Sequence, residues 1–200
     1  MRARKATRRP ERSHRSCFGV IALLVLTGCG THTANIDSTD PYEQYLWLIE
    51  RTSGAAADDI ERVKKAASSP SALVREGAVR AIAKIDRPDL APIVLEKLGD
   101  SEAHVRLAAI EVLRDPQAQP KILEKLRVDS AVEVRRAAAK ALRAYPPNRS
   151  VYQDLIAALS DADGGVSVLA HETLTTLSGQ AFARTDTKGW QEWLAKIPSQ

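Results

Sequence analysis

The sequence predicts an all-α fold, a short solenoid of stacked helix pairs closed at each end by a capping helix. Three observations carry this expectation. A nine-residue pattern occurs four times, as VREGAVRAI from Val74, VRLAAIEVL from Val105, VRRAAAKAL from Val134 and VSVLAHETL from Val166, with starts 31, 29 and 32 residues apart, the spacing of stacked repeats. Each copy follows a segment whose aliphatic residues recur every three or four positions, so a helix precedes each patterned helix. No stretch alternates apolar and polar residues as a half-buried strand does. One such helix pair cannot bury its apolar face alone, and neighbours must stack to do so.

At the N-terminus, MRARKATRRPERSHRS carries seven Lys or Arg and one Glu and is followed by the uncharged ten-residue run CFGVIALLVL. Residues 1–28 therefore read as a signal peptide, since ten residues are too few to cross a bilayer core that takes about 20. Leu26-Thr27-Gly28-Cys29 comes next and resembles the lipobox of bacterial lipoproteins, whose signal peptidase cuts before a diacylated cysteine. The resemblance implies lipidation of Cys29 and a cell-envelope domain facing the periplasm. Gly30 after the cysteine implies the outer membrane where one exists. Ordinary secretory cleavage near Gly28 or Gly30 is the alternative, and it would leave Cys29 a lone thiol.

Cleavage changes the charge balance. The whole chain has 29 basic and 25 acidic residues, whereas 22 and 24 remain after residue 28, so a formal net charge of +4 becomes −2. The basic excess belongs to the leader and gives no support to a nucleic-acid partner. Cys17 leaves with the leader, so neither a disulfide framework nor a cysteine metal site is available.

Cys29 and the polar, aperiodic GTHTANIDSTD read as a lipidated anchor with a flexible tether over 29–40, about 40 Å at full extension. Asp40-Pro41 supplies an N-cap and a proline at the first helical position, with Glu43 in the capping-box place. A capping helix within 41–54 is expected, with Tyr42, Tyr45, Leu46, Leu48 and Ile49 covering the first face of the array.

The array spans 55–178. Its first helices are expected at 56–67, 89–98, 120–127 and 151–159, separated from the patterned helices by turn residues at Ser69-Pro70, Gly99-Asp100, Asp129-Ser130 and 161–165. Counting from each valine, offsets 0, +4 and +8 hold Val74, Ala78, Ile82; Val105, Ala109, Leu113; Val134, Ala138, Leu142; and Val166, Ala170, Leu174. This is a buried stripe at helical spacing. Offsets +2, +6 and +9 hold Glu76, Arg80, Ala83; Leu107, Glu111, Arg114; Arg136, Lys140, Arg143; and Val168, Glu172, Thr175, a mostly polar, solvated face.

An Asp or Ser five residues before the valine, then Val-Arg, then Ala-x-x-x-Leu resembles the HEAT repeat in its short bacterial form, the HEAT-like repeat of phycobilin lyases. The resemblance implies a short right-handed α-solenoid of about four pairs, an armadillo-like superhelix. Asp100 with Arg106 and Asp129 with Arg135 occupy the family's Asp and Arg positions, which the resemblance implies pair along the stack and tie repeats together. Ser69 replaces the first Asp and Ser167 the last Arg, as suits terminal repeats. The segment 179–200 has Trp190 and Trp193 on one helical face. It reads as a helix sealing the last repeat or as a tryptophan-based contact site.

No constellation for chemistry emerges. Of the histidines after the leader, His32, His104 and His171, none stands at i, i+4 from another, and no zinc site follows. Helical-repeat hydroxylases of the deoxyhypusine type place several His-Glu pairs on successive helices to hold iron. Here only His171-Glu172 occurs, against Val79-Arg80, Ile110-Glu111 and Ala139-Lys140 in the other copies. There is no nucleophile elbow and no phosphate-binding glycine loop. The expected function is a non-catalytic, membrane-tethered scaffold for protein interactions, without cofactor, metal or nucleic acid. Its partner is an envelope protein engaged through an acidic segment at Arg114, Arg136, Lys140 and Arg143. The alternatives are a solvated basic face, an enzyme or enzyme accessory acting on a cofactor or envelope substrate, and a structural spacer.

Overall fold

The computed structural model of the chain describes residues 34–50, 55–85 and 87–198. The leader, Cys29 and His32 lie outside them. Among the described residues there are ten α-helices and no strand. They are α1 (Pro41–Ile49), α2 (Ala57–Ala66), α3 (Ala72–Ile85), α4 (Ala91–Glu96), α5 (Ala103–Val112), α6 (Gln119–Val128), α7 (Val132–Ala141), α8 (Arg149–Ala158), α9 (Gly164–Ser178) and α10 (Thr187–Ala195). Helices α2–α3, α4–α5, α6–α7 and α8–α9 are the four pairs. They stack in chain order as a solenoid, with α1 packed on α3 and α10 on α8.

The first cap forms much as its residues dictate. Pro41 starts α1, and the Asp40 carboxylate accepts the Tyr42 N–H at 2.9 Å. The Asp40 N–H donates to Ser38 Oγ at 3.0 Å, which fills the role a capping-box Glu43 would have. The buried face of α1 is Trp47 and Leu48, and Tyr42 is 45% exposed, so the stripe is rotated from the expected one. Close approach to α3 depends on Gly77, where a Cβ would stand 2.9 Å from Tyr45 Cδ2 and 3.2 Å from Leu48 Cδ1.

Residues 34–40, assigned to the tether by composition, instead fold back on this cap. Ile36 packs against the core, Asn35 N–H donates to the Glu43 carbonyl at 3.1 Å, and the Gln44 amide donates to the Ser38 carbonyl. Ile36 and the smaller Ala34, with a turn built on Asn35, are enough to order a segment that lacks periodicity.

In the second pair the expected helix over 89–98 is broken into a 3-10 turn Pro88–Leu90, α4 and a second 3-10 turn Lys97–Gly99. Pro92 in the first turn of α4 has no N–H to donate backward, so the α-helix cannot extend through it. Helix α9 ends at Gly179, whose φ of 68° gives a left-handed cap with its N–H on the Thr175 carbonyl.

All twelve residues at offsets 0, +4 and +8 are buried. Burial is wider than that stripe, because each second helix also touches its counterparts before and after it in the stack. Val79, Ile110 and Ala139, at offset +5, are fully buried as well. The alanines set this close spacing: Ala138 has no exposed surface, whereas Ala83 is open to solvent. Ala138→Leu is expected to destabilise by about 1–3 kcal/mol through overpacking, and Ala83→Leu to change little. Equal melting temperatures for the two variants would refute this placement.

Candidate functional site

Along the stack, α3, α5, α7 and α9 contact one another more extensively than the first helices of the pairs do. They therefore form the shorter, inner side of the array, and offsets +2, +6 and +9 project from it. This side is a row of charges, partly neutralised within itself. Arg80 Nε donates to Glu76 at 2.9 Å and its Nη1 lies 3.4 Å from Glu111, while Arg143 lies 3.5 Å from Glu172. Glu76 and Arg80 are half-buried by each other, and Leu107 packs against the core.

The Asp and Arg positions form an inter-repeat ladder at one edge. Arg75 pairs bidentately with Asp100 at 2.7 and 2.8 Å, Arg106 with Asp129 at 2.7 and 2.8 Å, and Arg135 with Asp161 at 2.9 and 3.0 Å. Each arginine thus reaches the aspartate of the following repeat. Its Nη1 meanwhile donates to turn carbonyls of its own repeat, as Arg106 does to Asp100 and Ser101. Each aspartate also accepts the N–H two residues on, and Ser69 keeps that turn by accepting from Ser71 at 3.2 Å. At the other end Ser167 donates to the Leu159 carbonyl and accepts from Arg184 of the tail, which closes the ladder. Arg75 and Asp161 were missed as ladder members, although they hold the same offsets as Arg106 and Asp129. Carrying the register through every copy finds them.

These pairs make stability acid-sensitive. Burial would raise the Asp100 and Asp129 carboxyls, but hydrogen bonds from Arg75 or Arg106 and from backbone N–H groups outweigh it and hold both below the ordinary 3.8. The hydrogen bond from Arg135 lowers Asp161, and that from Arg136 lowers Asp163 to about 2. A carboxyl that titrates lower folded than unfolded stabilises fully above its unfolded value and loses that contribution as pH falls through its folded value. Asp154 has the opposite sign, because burial raises it and Arg127 lies only within 3.8 Å. Five lowered carboxyls, the fifth being Asp89 through its hydrogen bond from Arg87, against one raised predict a melting temperature that falls as pH drops from 5 through about 2. A melting temperature that rises over that interval would contradict the ladder's role.

The structure gives the four basic residues singled out by sequence different surroundings. Arg136 is held by Asp163 at 2.7 and 2.8 Å, a carboxylate that also caps α9 through the Val166 N–H. It is a link to the last repeat. Arg114, Lys140 and Arg143 instead line one groove between α5 and α7, of about 440 Å³, together with Glu111, Ile110, Ala137, Ala141 and Ala144. Arg114 Nη1 is fixed on the Glu111 and Leu113 carbonyls at 3.0 and 2.6 Å, capping the end of α5. Lys140 makes no ion pair among the described residues.

The structure places Trp190 inside the molecule. It has no exposed surface, sits edge-on to Phe182, His171 and Trp193 at 5.1, 6.0 and 5.9 Å, and donates its indole N–H to the Ala183 carbonyl. Trp193, half-buried, packs edge-on against Tyr152 at 4.9 Å. The pair belongs to the seal over the last repeat. Arg149 reinforces that seal by donating to the Leu194 and Ile197 carbonyls.

Among the described residues no group of three or more His, Cys, Asp or Glu is placed to hold a metal ion. His171 contacts the Phe182 carbonyl at 2.9 Å and His104 is exposed. No described helix is long and apolar enough to cross a membrane. The arrangement is a stack of helical repeats, and the repeats have a counterpart. Residues 60–127 match the family model of HEAT repeats. The match spans the first two pairs and most of α6, and the later helix pairs continue the same valine register and the same ladder. Residues 60–127 are therefore similar to HEAT repeats, and the remaining pairs continue the same helical stacking. No curated protein matches the chain.

Proposed function

We propose that this protein is a lipid-anchored scaffold of the cell envelope, whose HEAT-like array holds a partner protein close to the membrane on the periplasmic side. The observation that supports the reading most is the continuous inner row of α3, α5, α7 and α9, a surface spanning several repeats with charged side chains projecting from it. The Leu26-Thr27-Gly28-Cys29 tetrapeptide after the apolar run supports the anchor. The fold-back of residues 34–40 shortens the leash, since only residues 30–33 separate Cys29 from Ala34, about 15 Å at full extension. Such a leash keeps the array beside the bilayer.

The test has two arms. Mass spectrometry of the mature N-terminus should find diacylglycerol on Cys29 and membrane fractionation should follow it. A soluble mature form starting elsewhere would overturn the anchor. Crosslinking in intact envelopes should recover one reproducible protein partner, and recovery of none would leave a spacer and overturn the scaffold.

A further inference from the structure

We infer that the groove between α5 and α7 is the docking site for an acidic peptide segment of the partner, a reading that rests on the scaffold function and gives it a location and a chemistry. Three cations, Arg114, Lys140 and Arg143, line this one groove, against the single carboxylate of Glu111. That carboxylate is already engaged, because Arg80 of the preceding repeat reaches it. Arg114 is pre-oriented by the two carbonyls it caps, and Arg143 is steadied from the far side by Glu172, an exposed contact that a competing carboxylate can displace. Lys140 lines the same groove with its ammonium in no ion pair among the described residues, so engaging it breaks no native ion pair.

The apolar lining decides between a bare anion and a peptide. Ala137, Ala141 and Ala144 line the same groove with the buried Ile110, so the cations share it with an apolar lining of small side chains. A phosphate would meet the cations and leave the apolar lining uncovered. A peptide with carboxylates on either side of an aliphatic residue satisfies both, since the aliphatic group covers the alanines while the carboxylates meet the guanidinium and ammonium groups. Arg136, one helical turn from Lys140 and equally basic in sequence, is outside the groove and occupied by Asp163, so it takes no part.

The probe is a fluorescein-labelled peptide of two glutamates, one leucine and two glutamates, titrated by fluorescence polarisation against the full chain in detergent. Binding that weakens with salt is expected, exposed charges being screened over about 8 Å at physiological ionic strength. Lys140→Glu with Arg143→Glu should weaken it about tenfold or more, while Arg136→Gln should leave it unchanged. Lys140→Glu alone disrupts no native pair and carries the test if the double variant melts early. Replacing the leucine by serine should also weaken binding, which a purely ionic contact would not show.

Equal losses from Arg136→Gln and Lys140→Glu would overturn the groove in favour of diffuse attraction. So would peptide affinity unchanged by Lys140→Glu, or binding of phosphatidylglycerol vesicles with no binding of the peptide. Envelope crosslinking separates the two levels of the argument. A partner recovered equally by the wild type and by Lys140→Glu keeps the scaffold and removes the groove, whereas no partner with either removes the scaffold itself.

Discussion

Arg106→Ala is expected to destabilise the array by about 3–5 kcal/mol, the cost of removing one member of a buried ion pair. Its side chain is only 11% exposed and that of Asp129 only 2%, so the carboxylate left behind has almost no access to water. One guanidinium also serves two repeats, bonding both Asp129 oxygens and the carbonyls of Asp100 and Ser101. Its loss therefore weakens a repeat's own turn and its interface with the next repeat together, in an architecture whose stability is a sum of such neighbour terms. Thermal melts by circular dichroism measure it, and an unchanged melting temperature would show that the ladder is ornamental. Replacing both partners by apolar residues, Arg106→Met with Asp129→Leu, should recover much of the loss, since the penalty lies in the orphaned charge. Arg136→Ala provides the contrast, because the Arg136–Asp163 pair is open to water and its loss should be much the smaller effect.

Trp190→Ala should cost about 3–5 kcal/mol, as deletion of a fully buried indole does. The indole of α10 packs against Phe182 and His171, and the Ala183 carbonyl would lose one of its two donors, keeping the Asp186 N–H. The effect should be local in its first consequence. Hydrogen exchange over Thr187–Ala195 should accelerate while α3, α5 and α7 keep their protection, because the end of a stack can open without the middle. Trp193→Ala, at a half-buried position, should cost less. Uniform acceleration along the whole chain, or none over α10, would contradict the assignment of this helix as the seal.

The physical boundary between what could be read in advance and what could not runs through particular residues. Arg136 and Lys140 are neighbours on one helix face, both basic and both exposed, and nothing local separates them. Asp163 separates them, 27 residues further on, because the turn before α9 comes level with the first turn of α7. Trp190 and Trp193 likewise share a face by spacing. Only the fold of residues 179–186 beneath α10 buries the first completely and leaves the second half open. Ile36 was passed over because a single apolar residue has no period, yet it meets a core surface already formed by other elements.

What the amino-acid sequence determined by itself was the all-α class, the four helix pairs, the twelve buried positions at offsets 0, +4 and +8, and the Asp40 cap of α1. Helix periodicity and capping are decided within about a dozen neighbouring residues. What the tertiary structure decided was the second buried face at offset +5, the pairing of each arginine with the following repeat's aspartate, and the gathering of Arg114, Lys140 and Arg143 into one groove without Arg136. Those outcomes depend on the rotation and rise between stacked pairs. That geometry is set where alanines let helices from different repeats meet, and no single repeat contains it.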